Sequence, residues 1–205
     1  MHSIKPFIDY ALCVETHSLT ALGVLGSRAS ESYSENSDLD LIGFGSENIF
    51  KTFNENGIFV ELLVKKSVSE LKSNPSRWYA LKEVVPVNDP NSQFDLMKTE
   101  ISSWESNYST PPEIMKNNEY WLESLRRKLT SENSEQQKVF LINTSLWELL
   151  SSFFIKNNNP VPGNSHMFSL APPLIGTKHF NGLVSGNPAE KIASALSVIE
   201  HSKSI

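Results

Sequence analysis

The chain of 205 residues is long enough to bury a hydrophobic core without disulfides or structural metals, as one substantial domain or two small ones. Its 39% hydrophobic and 20% charged residues are typical of a globular protein and exclude a disordered or fibrous one. With 18 basic and 23 acidic residues the net charge is −5, which disfavours a protein that wraps a long nucleic acid.

Signals for secretion or membrane insertion are not found in the sequence. A single cysteine, Cys13, excludes an internal disulfide, and no run of about 20 apolar residues is present. The longest apolar stretch, residues 146–155, is interrupted by Glu148 and Ser151. These features predict a cytoplasmic protein that has no membrane partner.

The spacing of apolar residues changes quickly in the first half of the chain. It predicts an amphipathic helix within residues 4–15, and then strands over 19–25, 39–44 and 58–64. Beyond residue 67 the pattern becomes helical, with a further strand at 84–87 and a long helix after Pro90. We therefore expect an α+β fold in which a small mixed sheet is flanked by helices.

The second half has only helical spacing. Helices are predicted from Pro112 to about Leu129, from Ser134 to the Asn- and Pro-rich segment at 157–163, and from Ala189 to His201. A long connection rich in Pro and Gly precedes the last helix, and connections of that length are usually functional or form interfaces. We expect two domains, residues 1–95 with the sheet and an all-helical C-terminal domain, residues 96–205, that covers the acceptor site described below.

A Gly-Ser pair at the end of the first predicted strand is the first candidate for chemistry. Gly26 and Ser27 are expected to end that strand and open a short helix, which would turn free backbone N–H groups and a hydroxyl toward an anion. This end of the strand is therefore a candidate phosphate site.

Carboxylates on the next two strands are the second candidate. Asp38 and Asp40 are two residues apart, so a strand would place both on one face, and Glu61 lies on the following strand. Like charges held this close favour a cation between them, and oxygen ligands suit Mg²⁺ or Mn²⁺. If the two strands pair, Glu61 closes a three-carboxylate cluster able to bind two metal ions.

The order of these residues resembles a known family. Gly26-Ser27-Arg28-Ala29, then eight residues, then Ser37-Asp38-Leu39-Asp40-Leu41 is similar to the signature of the nucleotidyltransferase superfamily, which includes DNA polymerase beta, kanamycin nucleotidyltransferase and the minimal nucleotidyltransferases. The resemblance covers about residues 15–66. It implies Asp38, Asp40 and Glu61 as catalytic metal ligands, and Gly26, Ser27, Arg28 and Ser37 as nucleotide-binding residues.

Several residues have more than one interpretation. Many superfamily members have Gly where this chain has Glu31, and a negative charge near the triphosphate could weaken nucleotide binding or indicate a degenerate member. Arg28 could contact phosphates or pair with Glu31 or Glu35. Glu148 could be the general base for the acceptor hydroxyl, although a solvated helix acid is the simpler interpretation.

The resemblance implies an enzyme that moves a nucleoside monophosphate, with AMP favoured, from a nucleoside triphosphate to a hydroxyl acceptor and releases pyrophosphate. A small molecule such as an antibiotic is the favoured acceptor, because antitoxin-like nucleotidyltransferases that modify or mask a helical protein partner are usually shorter. A degenerate nucleotide-binding module is the third hypothesis, and nucleic acid ranks last. The helical half could support a homodimer.

Overall fold

The computed structural model describes residues 19–29, 34, 36–55 and 57–203. The helix predicted within residues 4–15, as well as Cys13, Glu31 and Glu35, lie outside the described residues. The chain divides into two compact units, the first ending at Ser106 and the second beginning at Asn107.

The first unit contains a five-stranded mixed sheet. Its strands are β1 (Leu19–Leu25), β2 (Leu39–Gly45), β3 (Ile49–Glu55), β4 (Ile58–Lys65) and β5 (Val85–Asn88). Their order across the sheet is β3-β4-β2-β1-β5, in which β2 and β4 are parallel and all other neighbours are antiparallel. The structure thus confirms the predicted α+β class with a small mixed sheet.

Three helices accompany the described part of this sheet. They are α1 (Gly26–Ala29), α2 (Trp78–Lys82), which follows two 3-10 turns at Val68–Ser73 and Pro75–Arg77, and α3 (Gln93–Ser106). Helix α3 packs on one face of the sheet, where the ring of Phe94 lies 5.5 Å from the ring of Phe44. The opposite face carries a separate apolar cluster formed by alternate residues of β1, β2 and β4.

The predicted domain boundary near residue 95 falls inside α3. Phe94, Met97 and Ile101 are fully buried in the unit that contains the sheet, so the whole helix belongs to that unit. Apolar spacing identifies a buried face of a helix but does not tell which neighbour covers it.

Strand β3 was not predicted from the amino-acid sequence. It is an edge strand whose Phe50 is 61% exposed, so the alternation of buried and exposed residues is weak. The pair Asn56-Gly57 was the available signal, because this dipeptide favours a two-residue hairpin between two strands. Gly57 has a φ of +79° at that turn.

The second unit consists, in its described residues, of helices around one core. They are α4 (Pro112–Thr130), α5 (Glu135–Thr144), α6 (Leu146–Lys156), α7 (Asn164–Ile175), α8 (Thr177–Ser185) and α9 (Pro188–Lys203). All six contribute to one buried apolar cluster. The predicted all-helical half is confirmed, and so are the helices that begin near Pro112 and Ala189.

Two predictions in this unit were wrong. The single helix expected from Ser134 is two helices, α5 and α6, which meet at Ser145 with a bend of 57°. The Pro- and Gly-rich connection expected before the last helix is mostly helical. Helix α7 includes Pro172 and Pro173 and is followed by Gly176, where φ is +85°. Within the described residues no single helix is long and apolar enough to span a membrane, although the bent pair α5 and α6 passes that test together.

Candidate active site

The sheet register places Asp40 directly beside Glu61. Asp40 in β2 is paired with Glu61 in the parallel strand β4, and on its other side with Leu25, the last residue of β1. Residues paired across neighbouring strands project to the same face of a sheet. The strand pairing on which the prediction for Glu61 depended is therefore present.

Asp38 lies one residue before β2, at the end of the polar loop, and its side chain is exposed. The two-residue spacing puts it on the same side of the chain as Asp40, whose side chain is half-buried. The three predicted carboxylates thus lie at the start of β2 and on the adjoining part of β4.

Arg28 holds the backbone in place just before the start of β2. It is 7% exposed, and its Nε donates to the carbonyl oxygens of Ser37 at 3.0 Å and Asp38 at 3.1 Å. Its Nη2 donates to the Ser37 carbonyl at 2.6 Å. Because this buried guanidinium donates hydrogen bonds to two consecutive carbonyls, it holds the backbone of Ser37 and Asp38 in place.

The hydroxyl of Ser37 is used inside the same loop. The backbone N–H of Ser34 donates to Ser37 Oγ at 2.9 Å, and the Ser37 N–H donates to the Ser34 carbonyl at 3.0 Å. Ser37 therefore closes a local turn before β2. Its predicted contact with the nucleotide stays a prediction.

Gly26 lies against the Asp40 carboxylate. It has a φ of +68°, and a Cβ atom built at this position would be 2.8 Å from Asp40 Oδ2. Both the left-handed backbone and the close approach favour glycine here. Ser27 follows as a half-buried residue of α1. The structure thus places the Gly-Ser pair next to the carboxylates.

Electrostatics at the site act on Asp40. Burial raises the pKa of its carboxyl group, the nearby charges of Glu61 and Asp38 raise it further, and Arg77 opposes the rise. The guanidinium Nη2 of Arg77 lies 4.0 Å from Glu61 Oε1. Glu61 and Asp38, the acidic neighbours predicted from the sequence, are therefore close enough to disfavour the ionised form of Asp40.

A complete metal cage is not preformed. In the part of the chain that the structure describes, no group of three or more His, Cys, Asp or Glu side chains is arranged to hold a metal ion. The donor chemistry nevertheless fits Mg²⁺, which usually takes one or two protein carboxylates and completes its shell with water and substrate phosphates. Asp38 and Asp40 are the pair that fits this requirement.

Comparisons with known proteins find ten similar chains of solved structure, and one of them illustrates how distant the similarity is. It is a nucleotidyltransferase-like protein from Exiguobacterium sibiricum 255-15, with 14% sequence identity and a TM-score of 0.46, over 96% of this chain and 74% of that chain. No protein-family model and no curated protein matches the sequence. Similarity this distant does not indicate an activity, so the function proposed below rests on the geometry of the site.

Two further residues concern the predicted and the missed roles. Glu148, the weak candidate for a general base, is exposed in the first turn of α6, in the second unit. Arg77 could not be predicted as a site residue, because a lone arginine after Asn74-Pro75-Ser76 has no distinctive spacing. Its place beside Glu61 follows only from the way the chain returns to the sheet after β4.

Proposed function

We propose that the first unit binds a nucleoside triphosphate with Mg²⁺ or Mn²⁺ and transfers a nucleoside monophosphate to a hydroxyl acceptor. The observation that carries the proposal is the pairing of Asp40 with Glu61, with Gly26 against the Asp40 carboxylate. Burial and two like charges raise the pKa of Asp40, and a divalent cation would relieve that repulsion.

In this reaction the acceptor oxygen forms a bond to the α-phosphorus of the nucleotide, and the bond from that phosphorus to the leaving pyrophosphate breaks. The metal, when bound, neutralises phosphate charge and lowers the pKa of the attacking hydroxyl. Asp38 and Asp40 would hold the metal, and Arg28 keeps the backbone at Asp38 in place. Glu61 on the neighbouring strand would add a third carboxylate to the metal site, and the proton of the hydroxyl passes to solvent.

The roles of Gly26 and Ser27 follow from their position. Gly26 leaves room for the Asp40 carboxylate, and the same lack of a side chain allows phosphate to approach the backbone closely. Ser27 is the adjacent hydroxyl. We assign phosphate contact to these two residues and loop positioning to Arg28, although the sequence pattern assigns nucleotide contact to Arg28 as well.

A thermal-shift titration tests nucleotide binding. The purified protein is heated with ATP, GTP, CTP or UTP, each with Mg²⁺ and with chelator, and we expect one triphosphate, with ATP favoured, to raise Tm only when metal is present. At a triphosphate concentration of about 100 times Kd, binding adds about 2.7 kcal/mol to the free energy of unfolding. The absence of a metal-dependent shift with any of the four would contradict the proposal.

We further propose that the acceptor is a small hydroxylated molecule. The second unit, residues 107–205, has its own core built from six helices, which gives it the size of a separate domain. The acidic net charge of −5 favours a cationic acceptor.

Incubation of the protein with a cell lysate and α-labelled triphosphate separates the acceptor classes. We expect the label to enter a small-molecule fraction in a metal-dependent manner, because the proposed acceptor is small. Label in a protein band would instead favour the antitoxin-like alternative. The Asp40→Asn variant, incubated in parallel, is the control for transfer by other proteins of the lysate.

A further inference from the structure

Arg77 is held at its backbone next to the acidic cluster. It ends the 3-10 turn Pro75–Arg77, where its N–H donates to the Asn74 carbonyl at 3.1 Å. The next residue, Trp78, is 3% exposed, and its Nε1 donates to the Leu71 carbonyl at 3.1 Å. The base of the Arg77 side chain is therefore anchored by a buried neighbour.

The guanidinium itself is held weakly. The Arg77 side chain is 48% exposed, and the distance of 4.0 Å from Nη2 to Glu61 Oε1 is longer than a hydrogen bond. An exposed pair at this separation contributes little to stability. Arg77 thus has a fixed base and a charged end that can exchange Glu61 for another anion at small cost.

Arg28 and Arg77 differ in the partners of their guanidinium groups. Arg28 is buried and donates to the carbonyls of Ser37 and Asp38, whereas Arg77 faces a carboxylate and solvent. The planar fork of an arginine binds phosphate oxygens in a bidentate manner, which requires donors that are accessible. Of these two arginines, Arg77 is the one whose charged end meets that requirement.

We propose that Arg77 is a phosphate-binding residue of this site and that it competes with a divalent cation for Glu61. The inference rests on the proposed function. A cation bound at the carboxylates repels the guanidinium, and the phosphates that accompany the cation offer it a new anionic partner. Arg77 therefore opposes binding of the metal alone and favours binding of the metal together with a nucleoside triphosphate.

Opposite changes in two affinities test this proposal. For Arg77→Ala we expect Mn²⁺ alone, followed by electron paramagnetic resonance, to bind several-fold more tightly, because a competing positive charge is gone. Calorimetric titration with the Mg²⁺ complex of each of the four triphosphates should show binding about 10- to 100-fold weaker, since a charge-assisted phosphate contact is lost. Tm without ligand should be unchanged.

Two further variants serve as controls. Arg127→Ala removes an exposed arginine that pairs with Glu123 in the second unit, and it should leave both affinities unchanged. Arg77→Lys keeps the charge but loses the fork, so it should restore competition with Mn²⁺ fully and nucleotide affinity only in part.

The outcomes separate the two proposals. If wild-type protein binds Mn²⁺ and a triphosphate while Arg77→Ala matches it in both affinities, the role of Arg77 is overturned and the proposed function stands. A fall in both affinities overturns it as well, because a residue that only supports the site would weaken metal and nucleotide together. Wild-type protein that binds neither ligand contradicts both proposals.

Discussion

Asp40→Asn is expected to abolish nucleotidyl transfer and at the same time to make the metal-free protein more stable. A neutral amide binds a divalent metal far more weakly than a carboxylate does, so we expect activity to fall by about 1000-fold or more. The stability gain follows from the environment of Asp40, in which burial and the charges of Glu61 and Asp38 raise its pKa. A loss of function combined with a gain of stability is typical of a residue that is kept for chemistry.

The raised pKa of Asp40 determines how the free energy of unfolding should change with pH. The folded-state pKa of Asp40 lies above 3.8, the ordinary value for an aspartate, so the folded protein binds more protons than the unfolded chain at pH values between these two pKa values. The free energy of unfolding therefore falls as pH rises through that window, and it stays lowered above it. Asp40→Asn removes this loss, so its advantage in Tm should be present at neutral pH and vanish below about pH 3.8.

Asp95→Asn is the matched control in the same unit. Asp95 is an exposed acid in the first turn of α3, where a negative charge is favourable, so this variant should lose a little stability and keep full activity. Melting curves in chelator at several pH values, with transfer assays on the same samples, check both expectations. Retained activity in Asp40→Asn would show that the catalytic carboxylate lies elsewhere.

Arg28→Ala is expected to destabilise the first unit by about 2 to 4 kcal/mol, because hydrogen bonds from a buried charged group are lost and the carbonyls of Ser37 and Asp38 lose their donors. Displacement of Asp38 should lower activity in the molecules that remain folded. Urea denaturation followed by circular dichroism measures the first effect.

The Arg28→Lys variant distinguishes positioning from phosphate contact. Lysine keeps the charge but cannot bond two consecutive carbonyls with the same fork, so we expect an intermediate loss of stability and a lower kcat with little change in the affinity for nucleotide. If Arg28 also contacts phosphates, as the resemblance implies, the affinity of the variant for nucleotide should fall as well. The affinity for nucleotide therefore distinguishes the two roles, because it falls only if Arg28 contacts phosphate.

The strands that carry the site could be predicted from the sequence because their signals are local. Strands β1, β2 and β4 and the Gly26 junction each have a distinct apolar run or turn residue, and the structure has them at nearly the predicted bounds. Edge strand β3 and the break at Ser145 were missed, because an exposed Phe50 obscures alternation and a helix bend needs no Pro or Gly.

The partners of the side chains depended on the tertiary structure. Residue spacing alone could not tell whether β4 would lie beside β2, which is what brings Glu61 to Asp40. It also did not show that Arg28 donates to the backbone carbonyls of Ser37 and Asp38, which the fold brings within reach. Arg77 gave no signal in the sequence and reaches Glu61 only through the return of the chain after β4.

The amino-acid sequence by itself determined which residue types are available at the site and which local elements carry them, because turn chemistry and strand periodicity act over a few residues. The tertiary structure decided which charges face one another and how deeply each is buried. Burial and neighbouring charge set the pKa of Asp40, and both arise from segments far apart in the chain.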